Sequence, residues 1–509
     1  MQATPRFDWR KPIALACIAG QLLTAPLAVA QSLPDLGDSS DATISEQQER
    51  TIGKRIMIEI RADRSYIDDY ELNDYINSLG NRLVAASRGA TNDNRRDFEF
   101  FMIDDETINA FSLLGGFVGI HSGLLLTTTN ESELASVVGH EIAHVLQRHQ
   151  SRGAEGQKNK AWIPIAGLLA AIAASRSNSS SAGQATEAAI VGTQALAIQN
   201  QLDYSQDFER EADRMGLQIM SRAGFDARGM PAFFERMLRA NRHNEGSAPK
   251  YLRSHPLTTE RIADMQTRVD QIADKHTAID SEEYLMARAK LRVMSMSSGE
   301  AAAYFRTVIA ERTILRGRAD VYGLALALTR ARNFSAAERE LDMVRGTANR
   351  NSWVENLAAQ IQSGQRKWDN ALSIYRAGMK SFPEHRGLLY GYLETLYEAG
   401  QSDLALTTAV EQLKTLPDDA KLYEIAAKGY ERKGKKLAQH RAIGEAYFRR
   451  GNLIGAVEQL EIAVKARDGD FYESSSAEAR LREFKAAYKN RPLLPGEKPD
   501  RERPDHDRP

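Results

Sequence analysis

The sequence has few cysteines, no excess of charge of either sign, and few long apolar runs. Its one cysteine, Cys17, lies within the first thirty residues. The rest of the chain therefore has no residue for a disulfide, a cysteine-ligated zinc site or a thiol nucleophile. Lys and Arg number 67 against 68 Asp and Glu, so the basic excess typical of nucleic-acid-binding proteins is absent. We expect no nucleic-acid partner, and any metal site must use His, Asp and Glu.

The N-terminal segment 1–30 has the layout of a secretory signal peptide. Basic residues precede an uncharged, mostly apolar stretch over 13–30 that ends in a small-x-small cleavage pattern, Ala28-Val29-Ala30. An uncleaved membrane anchor is the alternative, but the stretch is at the short limit for a bilayer span. Cleavage would leave a mature chain in an oxidising compartment such as a periplasm, with no integral membrane span.

The rest of the chain divides into four further segments by composition and pattern. We predict a polar linker over 31–44, a first folded domain over 45–281, a helical repeat domain over 282–490 and a Pro-rich disordered tail over 491–509. Helical patterns dominate, while short apolar runs broken by glycines over 98–126 predict two or three strands. The predicted fold class is α+β and mainly helical.

A period of 34 residues appears in the C-terminal half. Ala337, Ala371 and Ala405 are 34 residues apart, and Phe334 and Trp368 are separated by the same distance. This is the tetratricopeptide period, in which a small Ala lets two antiparallel helices approach each other. A generic helical bundle with chance spacing is the alternative. We predict a tetratricopeptide-like α-helical solenoid, a type of fold that presents a surface for protein partners.

The motif with the clearest chemical meaning is HEIAH over 140–144, inside a helix predicted to begin near Glu131. Residues four apart share a helical face, so the imidazoles of His140 and His144 can bind one metal ion. Glu141 lies next to them and can take a proton from a metal-bound water, as in metal-assisted hydrolysis. The alternative is a packed helix with two surface histidines. We predict one Zn²⁺ per chain, although other transition metals fit such ligands.

A catalytic tetrahedral zinc needs a third protein ligand. His149 lies five residues beyond His144, off the helical face, and is predicted to be a surface residue. The acids Glu209, Glu211 and Asp213 crowd a second predicted helix, where Glu209 and Asp213 share a face. One of that pair would bind the metal while the other orients a ligating imidazole. Spacing alone leaves both Glu209 and Glu211 open as the ligand.

HEIAH followed by EREAD, with NAFSLLGGFVGIHSGLL before them, resembles the gluzincin peptidases of family M48. The signal peptide and the repeats resemble the layout of its periplasmic members. The resemblance implies an M48-like zinc metallopeptidase domain over 45–281, with Glu209 as the third metal ligand and Asp213 at the family's aspartate position. It places the family's later His-Pro step on His255-Pro256. His255 is then implied to lie near zinc, where it caps the open position at rest or stabilises the oxyanion during turnover.

The glycine-rich stretch over 115–120 is interpreted through the same resemblance. We expect an edge strand that includes Gly116, Phe117, Val118 and Gly119, along which an extended substrate would add by backbone hydrogen bonds. A glycine-rich turn between core strands is the alternative.

The sequence motifs, together with the family resemblance, leave two functions open. The first is a periplasmic zinc endopeptidase, peripheral to the outer membrane, that cleaves misfolded or misassembled outer-membrane and periplasmic proteins. Its repeats would dock the outer-membrane assembly machinery, and a flap over 151–200 would cover its cleft. The alternative is mainly a scaffold or chaperone for outer-membrane protein assembly, with little proteolysis. An integral membrane protease would need several apolar runs of about 20 residues, which the chain beyond residue 30 lacks.

Overall fold

The computed structural model describes residues 45–88, 97–155, 206–242, 250–272, 278–311, 317–346 and 350–491. The predictions for the signal peptide, the linker, the tail beyond residue 491 and the flap beyond residue 155 lie outside these ranges. The described residues belong to one compact unit. None of the helices in these ranges is both long enough and apolar enough to cross a bilayer.

The first part of the chain combines helices with one small sheet. Its elements are α1 (Glu46–Ala62), α2 (Tyr70–Ser87), β1 (Glu99–Ile103), β2 (Ala110–Leu113), β3 (Phe117–His121), α3 (Ser122–Thr127), α4 (Glu131–Leu146), α5 (His149–Glu155), α6 (Gln206–Arg222), α7 (Gly229–Arg242), α8 (Lys250–Ser254) and α9 (Thr259–Gln271).

The described residues of the second part form helices and no strands. The helices are α10 (Glu282–Met294), α11 (Ser298–Glu311), α12 (Arg318–Arg330), α13 (Phe334–Arg345), α14 (Ser352–Gly364), α15 (Trp368–Ser381), α16 (Arg386–Glu398), α17 (Ser402–Thr415), α18 (Ala420–Arg432), α19 (Lys436–Arg449), α20 (Leu453–Lys465) and α21 (Phe471–Lys489). The predicted class, α+β and mainly helical, is confirmed.

Side-chain caps set the start of both α1 and α4. Ser45 accepts a hydrogen bond from the backbone N–H of Gln48, whose side chain returns to the backbone of Ser45 in a capping box. Asn130 caps α4 by accepting from the backbone N–H of Glu133. The predicted start of this helix near Glu131 is confirmed.

The three strands form a sheet in the order β1-β3-β2, with β1 and β3 parallel and β2 and β3 antiparallel. β3 is therefore the central strand, and all five of its residues are buried. Within the described residues, the edges of this sheet are β1 and β2.

The prediction that Gly116, Phe117, Val118 and Gly119 form an edge strand is wrong. Phe117, Val118 and Gly119 pair with β1 on one side and with β2 on the other. Gly116 lies in the turn before β3 with φ +86°, a conformation that favours glycine. A Cβ added at Gly119 would clash with the ring of Phe111. Gly116 allows a tight turn, and Gly119 makes room for core packing. This arrangement is closer to the alternative, a glycine-rich turn between core strands, than to an edge that binds a substrate.

The helices that contain HEIAH and EREAD, α4 and α6, cross in direct contact. A Cβ added at Gly216 would lie 2.9 Å from the backbone nitrogen of His140, and one added at Gly139 would lie 3.2 Å from the carbonyl oxygen of Gly216. A Cβ does not approach backbone atoms closer than about 3.0 Å, so position 216 requires glycine, and position 139 leaves little room for a larger residue. The crossing brings the two motifs within reach of one another.

Successive helices from α11 to α21 pack on one another in chain order, as expected for a helical solenoid. The three alanines of the 34-residue period, Ala337, Ala371 and Ala405, are fully buried, as is Ala456. This agrees with a role in which the small side chain lets neighbouring helices approach closely.

A buried cluster of charged and polar groups joins the two parts of the chain. The ammonium of Lys290 on α10 lies 2.6 Å from a carboxylate oxygen of Glu71 on α2 and 2.6 Å from one of Asp69. Asn356 on α14 donates to Glu71 at 2.8 Å, and the Nε2 atom of His385 is 3.5 Å from Glu71. Burial acts to lower the pKa of Lys290, but the charges of Glu71 and Asp69 outweigh it and raise that pKa.

Candidate metal centre

Four side chains converge at the crossing of α4 and α6. His140, His144, Glu209 and His255 each offer one ligand atom, and these atoms lie within 4.8 Å of one another. His140 and His144 lie on α4, Glu209 on α6, and His255 directly after α8. Each of the four is at most 1% exposed. The structure brings together the three ligands and the His-Pro histidine named from the sequence.

The interatomic distances are those of donors turned towards a shared point. The Nε2 atoms of His140 and His144 are 2.9 Å apart. The carboxylate of Glu209 lies 3.4 Å from His144 Nε2 and 3.5 Å from His140 Nε2. His255 completes the group, with its Nδ1 atom 2.9 Å from Glu209 Oε1 and 3.3 Å from His140 Nε2. Two imidazoles, one carboxylate and a fourth position form the ligand set of a catalytic zinc site.

The carboxylate of Glu141 tests whether this site suits a cation and its water. Both carboxylate oxygens are fully buried, and neither has a hydrogen-bond partner within the described residues. His255 Nε2 lies 3.4 Å from Oε1, which is longer than a normal hydrogen bond. Because unpaired buried carboxylate oxygens are costly, the site fits a metal ion with a bound water that Glu141 can contact.

Asp213 and Arg261 support the cluster from behind. Asp213 Oδ1 lies 3.0 Å from Nδ1 of His140, so the predicted orienting partner is in contact with that imidazole. Arg261 on α9 donates two hydrogen bonds to Asp213, at 2.7 and 2.8 Å. Its Nη1 atom lies 2.9 Å from Glu209 Oε2 and donates to the carbonyl of Pro256 at 2.7 Å. The guanidinium of Arg261 thus contacts the predicted metal ligand Glu209, the predicted orienting residue Asp213 and the His-Pro segment.

His149 is buried, and the prediction that it is a surface residue is wrong. The prediction assumed that the helix continues, but α4 has ended and Arg148 takes a left-handed conformation with φ +53°. The chain therefore turns back, and Nδ1 of His149 lies 2.8 Å from Nδ1 of His144. Its Nε2 lies 3.0 Å from Glu211, and its ring stacks on Phe208 with centroids 4.5 Å apart. Burial lowers the pKa of His149.

Tyr251 on α8 is a further residue that the sequence did not single out. It is buried, and its ring stacks on that of His255 with centroids 4.9 Å apart. Its hydroxyl has no hydrogen-bond partner within the described part of the chain. Burial and the nearby charge of Glu141 raise its pKa. Neither Tyr251 nor Arg261 belongs to a motif of regular spacing, so no local signal marked them.

The side chains of the cluster shift one another's pKa values through hydrogen bonds and charge. Burial acts to lower the pKa of His140, but hydrogen bonds to Asp213 and Glu209 outweigh it and raise the pKa to about 10. Burial and the neighbouring His140 charge lower the pKa of His144 well below its usual value. Burial acts to raise the pKa of Glu209, but the charge of His255 and the bonds to all three histidines lower it. Among these groups, His140 is the histidine whose pKa the neighbouring carboxylates raise.

The sequence matches a known protein family and several known proteins. The model of Peptidase family M48 matches residues 71–269, which contain all of these side chains. The chain is 31% identical over 449 residues to the beta-barrel assembly-enhancing protease of Escherichia coli (strain K12), covering 88% of this chain and 90% of that protein. It is 25% identical over 245 residues to the mitochondrial metalloendopeptidase OMA1 of Arabidopsis thaliana, covering 48% of this chain and 46% of that protein.

Among solved structures, the chain is similar to the crystal structure of yeast Tom70. The TM-score is 0.27 and the identity 12%, with 69% of this chain and 82% of that chain covered.

The chain therefore belongs to peptidase family M48 and is a metalloendopeptidase. Its similarity to the beta-barrel assembly-enhancing protease of Escherichia coli extends over most of both chains. The resemblance drawn from HEIAH and EREAD is confirmed. The roles of the individual site residues stay predictions.

Proposed function

We propose that this chain is a periplasmic zinc endopeptidase that cleaves misfolded or misassembled outer-membrane and periplasmic proteins. The proposal is carried by the convergence of His140, His144 and Glu209 within 4.8 Å, with Glu141 beside them. These three residues would hold one Zn²⁺ per chain. The client class is suggested by the name of the Escherichia coli relative, a beta-barrel assembly-enhancing protease.

The chemistry needs an ion, a base and fixed ligands. A zinc ion at this site would polarise the scissile carbonyl and lower the pKa of water. Glu141, whose oxygens lack hydrogen bonds within the described residues, accepts the water proton and passes it to the leaving amine. Asp213 Oδ1 lies 3.0 Å from Nδ1 of His140 and would keep the proton of that ring on Nδ1, which leaves Nε2 available to bind the ion.

His255 is proposed to cap the open position at rest. Its ring lies among the ligands, with Nδ1 2.9 Å from Glu209 and Nε2 3.4 Å from Glu141, where substrate and water would otherwise be. A substrate can reach Glu141 only after His255 moves. Once displaced, its imidazole is suited to stabilise the oxyanion.

The helical repeats are proposed to dock partners, among them the outer-membrane assembly machinery, with the chain in the periplasm and peripheral to the outer membrane. Solenoids of stacked helices present extended surfaces that suit such docking. The signal-peptide pattern over 1–30 supports the location.

A second candidate function is a scaffold or chaperone with little proteolysis. The observation that favours it is the closed site, where each of the four converging side chains is at most 1% exposed. A protein held in that state could bind clients through its repeats without cutting them.

Glu141→Gln tests both functions. We expect the purified mature variant to retain one zinc per chain and to lose casein cleavage, because the amide cannot accept the water proton. Glu260→Gln, an exposed acid on α9 paired with Arg210, is the matched control and should cleave like the parent. Full activity of Glu141→Gln would refute the assigned base. If this inactive variant still supports outer-membrane assembly in cells, the scaffold function is favoured.

A further inference from the structure

We propose that His149 is a positioning residue for the metal ligand His144, and that Glu211 in turn fixes the orientation of His149. The inference rests on the proposed metal site and extends it by two residues that lie outside HEIAH and outside the ligand set. It concerns the second ring nitrogen of His144, the atom that faces away from the ion.

The two nitrogens of His144 have different surroundings. Nε2 faces the convergence point, 2.9 Å from His140 Nε2 and 3.4 Å from Glu209. Nδ1 faces the opposite way and lies 2.8 Å from Nδ1 of His149. A ligating Nε2 carries no proton, so the proton of a neutral His144 is on Nδ1, which must donate to His149.

That donation determines the tautomer of the second ring. Nδ1 of His149 accepts from His144, so the proton of a neutral His149 is on Nε2. Nε2 lies 3.0 Å from Glu211 Oε2, which accepts it. The result is a directed chain of hydrogen bonds from His144 through His149 to a carboxylate. Partners of this kind orient a ligating imidazole and raise its basicity.

The fold holds the His149 ring in place on several sides. The ring is stacked on Phe208 with an interplanar angle of 5°. Arg148, the residue with φ +53° that turns the chain back, donates to the buried carboxylate of Glu49 at 3.0 and 2.8 Å. Glu211 is bound by Arg152 at 3.1 Å. A side chain constrained in this way can fix the ring plane of the ligand it contacts.

The two imidazole ligands are thus supported differently. His140 contacts a carboxylate directly, with Asp213 at 3.0 Å. His144 contacts a neutral imidazole, and the carboxylate of Glu211 lies one ring further away. The second support depends on an uncharged acceptor, so it can be removed without leaving a buried charge.

The test compares zinc affinity in the mature full-length chain and three variants, by competition with a chelator. His149→Phe keeps an aromatic ring to stack on Phe208 but removes the acceptor. We expect its affinity to fall about 10- to 100-fold, the usual effect of losing such a partner. His149→Asn restores an acceptor near the position of Nδ1 and should recover most of the affinity. Arg239→Gln, which removes an exposed ion pair with Glu235 on α7, is the control and should stay within about twofold.

The Co²⁺-loaded proteins give a second readout, since the visible absorption of bound Co²⁺ reports ligand geometry. We expect a shifted spectrum for His149→Phe and a parent-like one for His149→Asn. Parent-like affinity and spectrum in a folded His149→Phe would overturn the inference and leave the metal site intact. A parent chain that binds no zinc would instead refute the metal site, and the inference with it. If His149→Phe does not fold, Glu211→Ala tests the same chain of bonds, and unchanged affinity there overturns the inference.

Discussion

The protonation of His140 connects the metal centre to pH. Its pKa is raised from 6.5 to about 10 before metal binds, so both ring nitrogens carry a proton at pH 7. A metal ion can bind its Nε2 only when that proton is displaced. We therefore expect about one proton to be released per zinc bound at pH 7, and the apparent affinity to rise about tenfold per pH unit between pH 7 and 9.

Calorimetric titrations of zinc in buffers of different ionisation enthalpy measure that proton directly. Asp213→Asn is the informative comparison, because the interaction of His140 with the Asp213 carboxylate is the first of the contacts that raise the pKa of His140. Its proton release at pH 7 should be smaller. Release of no proton by the parent would contradict the assignment of the charge to His140.

At the same scale, the sequence predicts the residues whose position follows from helical spacing. His140, His144 and the face shared by Glu209 and Asp213 are of this kind, because positions four apart lie together on any α-helix. His149 could not be predicted that way. Its place depends on where α4 ends and on one left-handed residue, which the tertiary contact between Arg148 and Glu49 supports.

The crossing of α4 and α6 is the element-level feature on which the metal centre depends. Gly216→Ala would place a Cβ 2.9 to 3.1 Å from the backbone of His140 and Gly139, which cannot yield as a flexible side chain would. We expect the free energy of unfolding to fall by about 1–3 kcal/mol, as for overpacked cores. Zinc affinity should fall as well, because the helices that contribute the ligands are pushed apart.

Thermal denaturation and chelator competition would check this, with Gly299→Ala as the control. Gly299 on α11 has nothing within 4 Å of an added Cβ. Its replacement should leave zinc affinity unchanged and stability equal or higher by less than about 1 kcal/mol. Equal behaviour of the two variants would argue against a glycine-dependent crossing.

The sheet shows what a local pattern leaves undetermined. The sequence predicts two or three strands over 98–126, but strand order is set by pairing between segments rather than by any one of them. β3 pairs in parallel with β1 on one side and antiparallel with β2 on the other, so it lies between the two strands that precede it in the chain. The strand that was expected at the edge of the sheet is therefore its central strand.

At the scale of the whole molecule, the cluster around Glu71 ties the peptidase part to the helical repeats. Lys290→Met would leave Glu71 and Asp69 facing each other without their cation, in a buried setting. Breaking a buried ion pair from one side costs about 3–5 kcal/mol. We expect a clearly lower thermal denaturation midpoint, with the active-site residues themselves unchanged.

Lys428→Met is a suitable comparison for that variant. Lys428 pairs with Glu394 at 3.0 Å, but both side chains are more than a third exposed. Its loss should cost less than about 1 kcal/mol. If the two substitutions lower the midpoint equally, the buried Glu71 cluster contributes no more to stability than this exposed ion pair within the repeats.

The overall organisation, helices around a small sheet followed by helical repeats, could be predicted because periodicity extends over many residues. The contacts between the two parts could not. Lys290 and Asn356 lie more than 200 residues from Glu71, and no spacing rule connects such positions.

The burial of the four converging side chains also bears on the rate at which an ion is exchanged. In the proposed capped state, an ion from solution reaches His140, His144 and Glu209 only when the segment with His255 opens. Loading and loss of metal would then follow the frequency of that local opening rather than diffusion. The opening that admits a substrate would thus also be the step at which an ion can be exchanged.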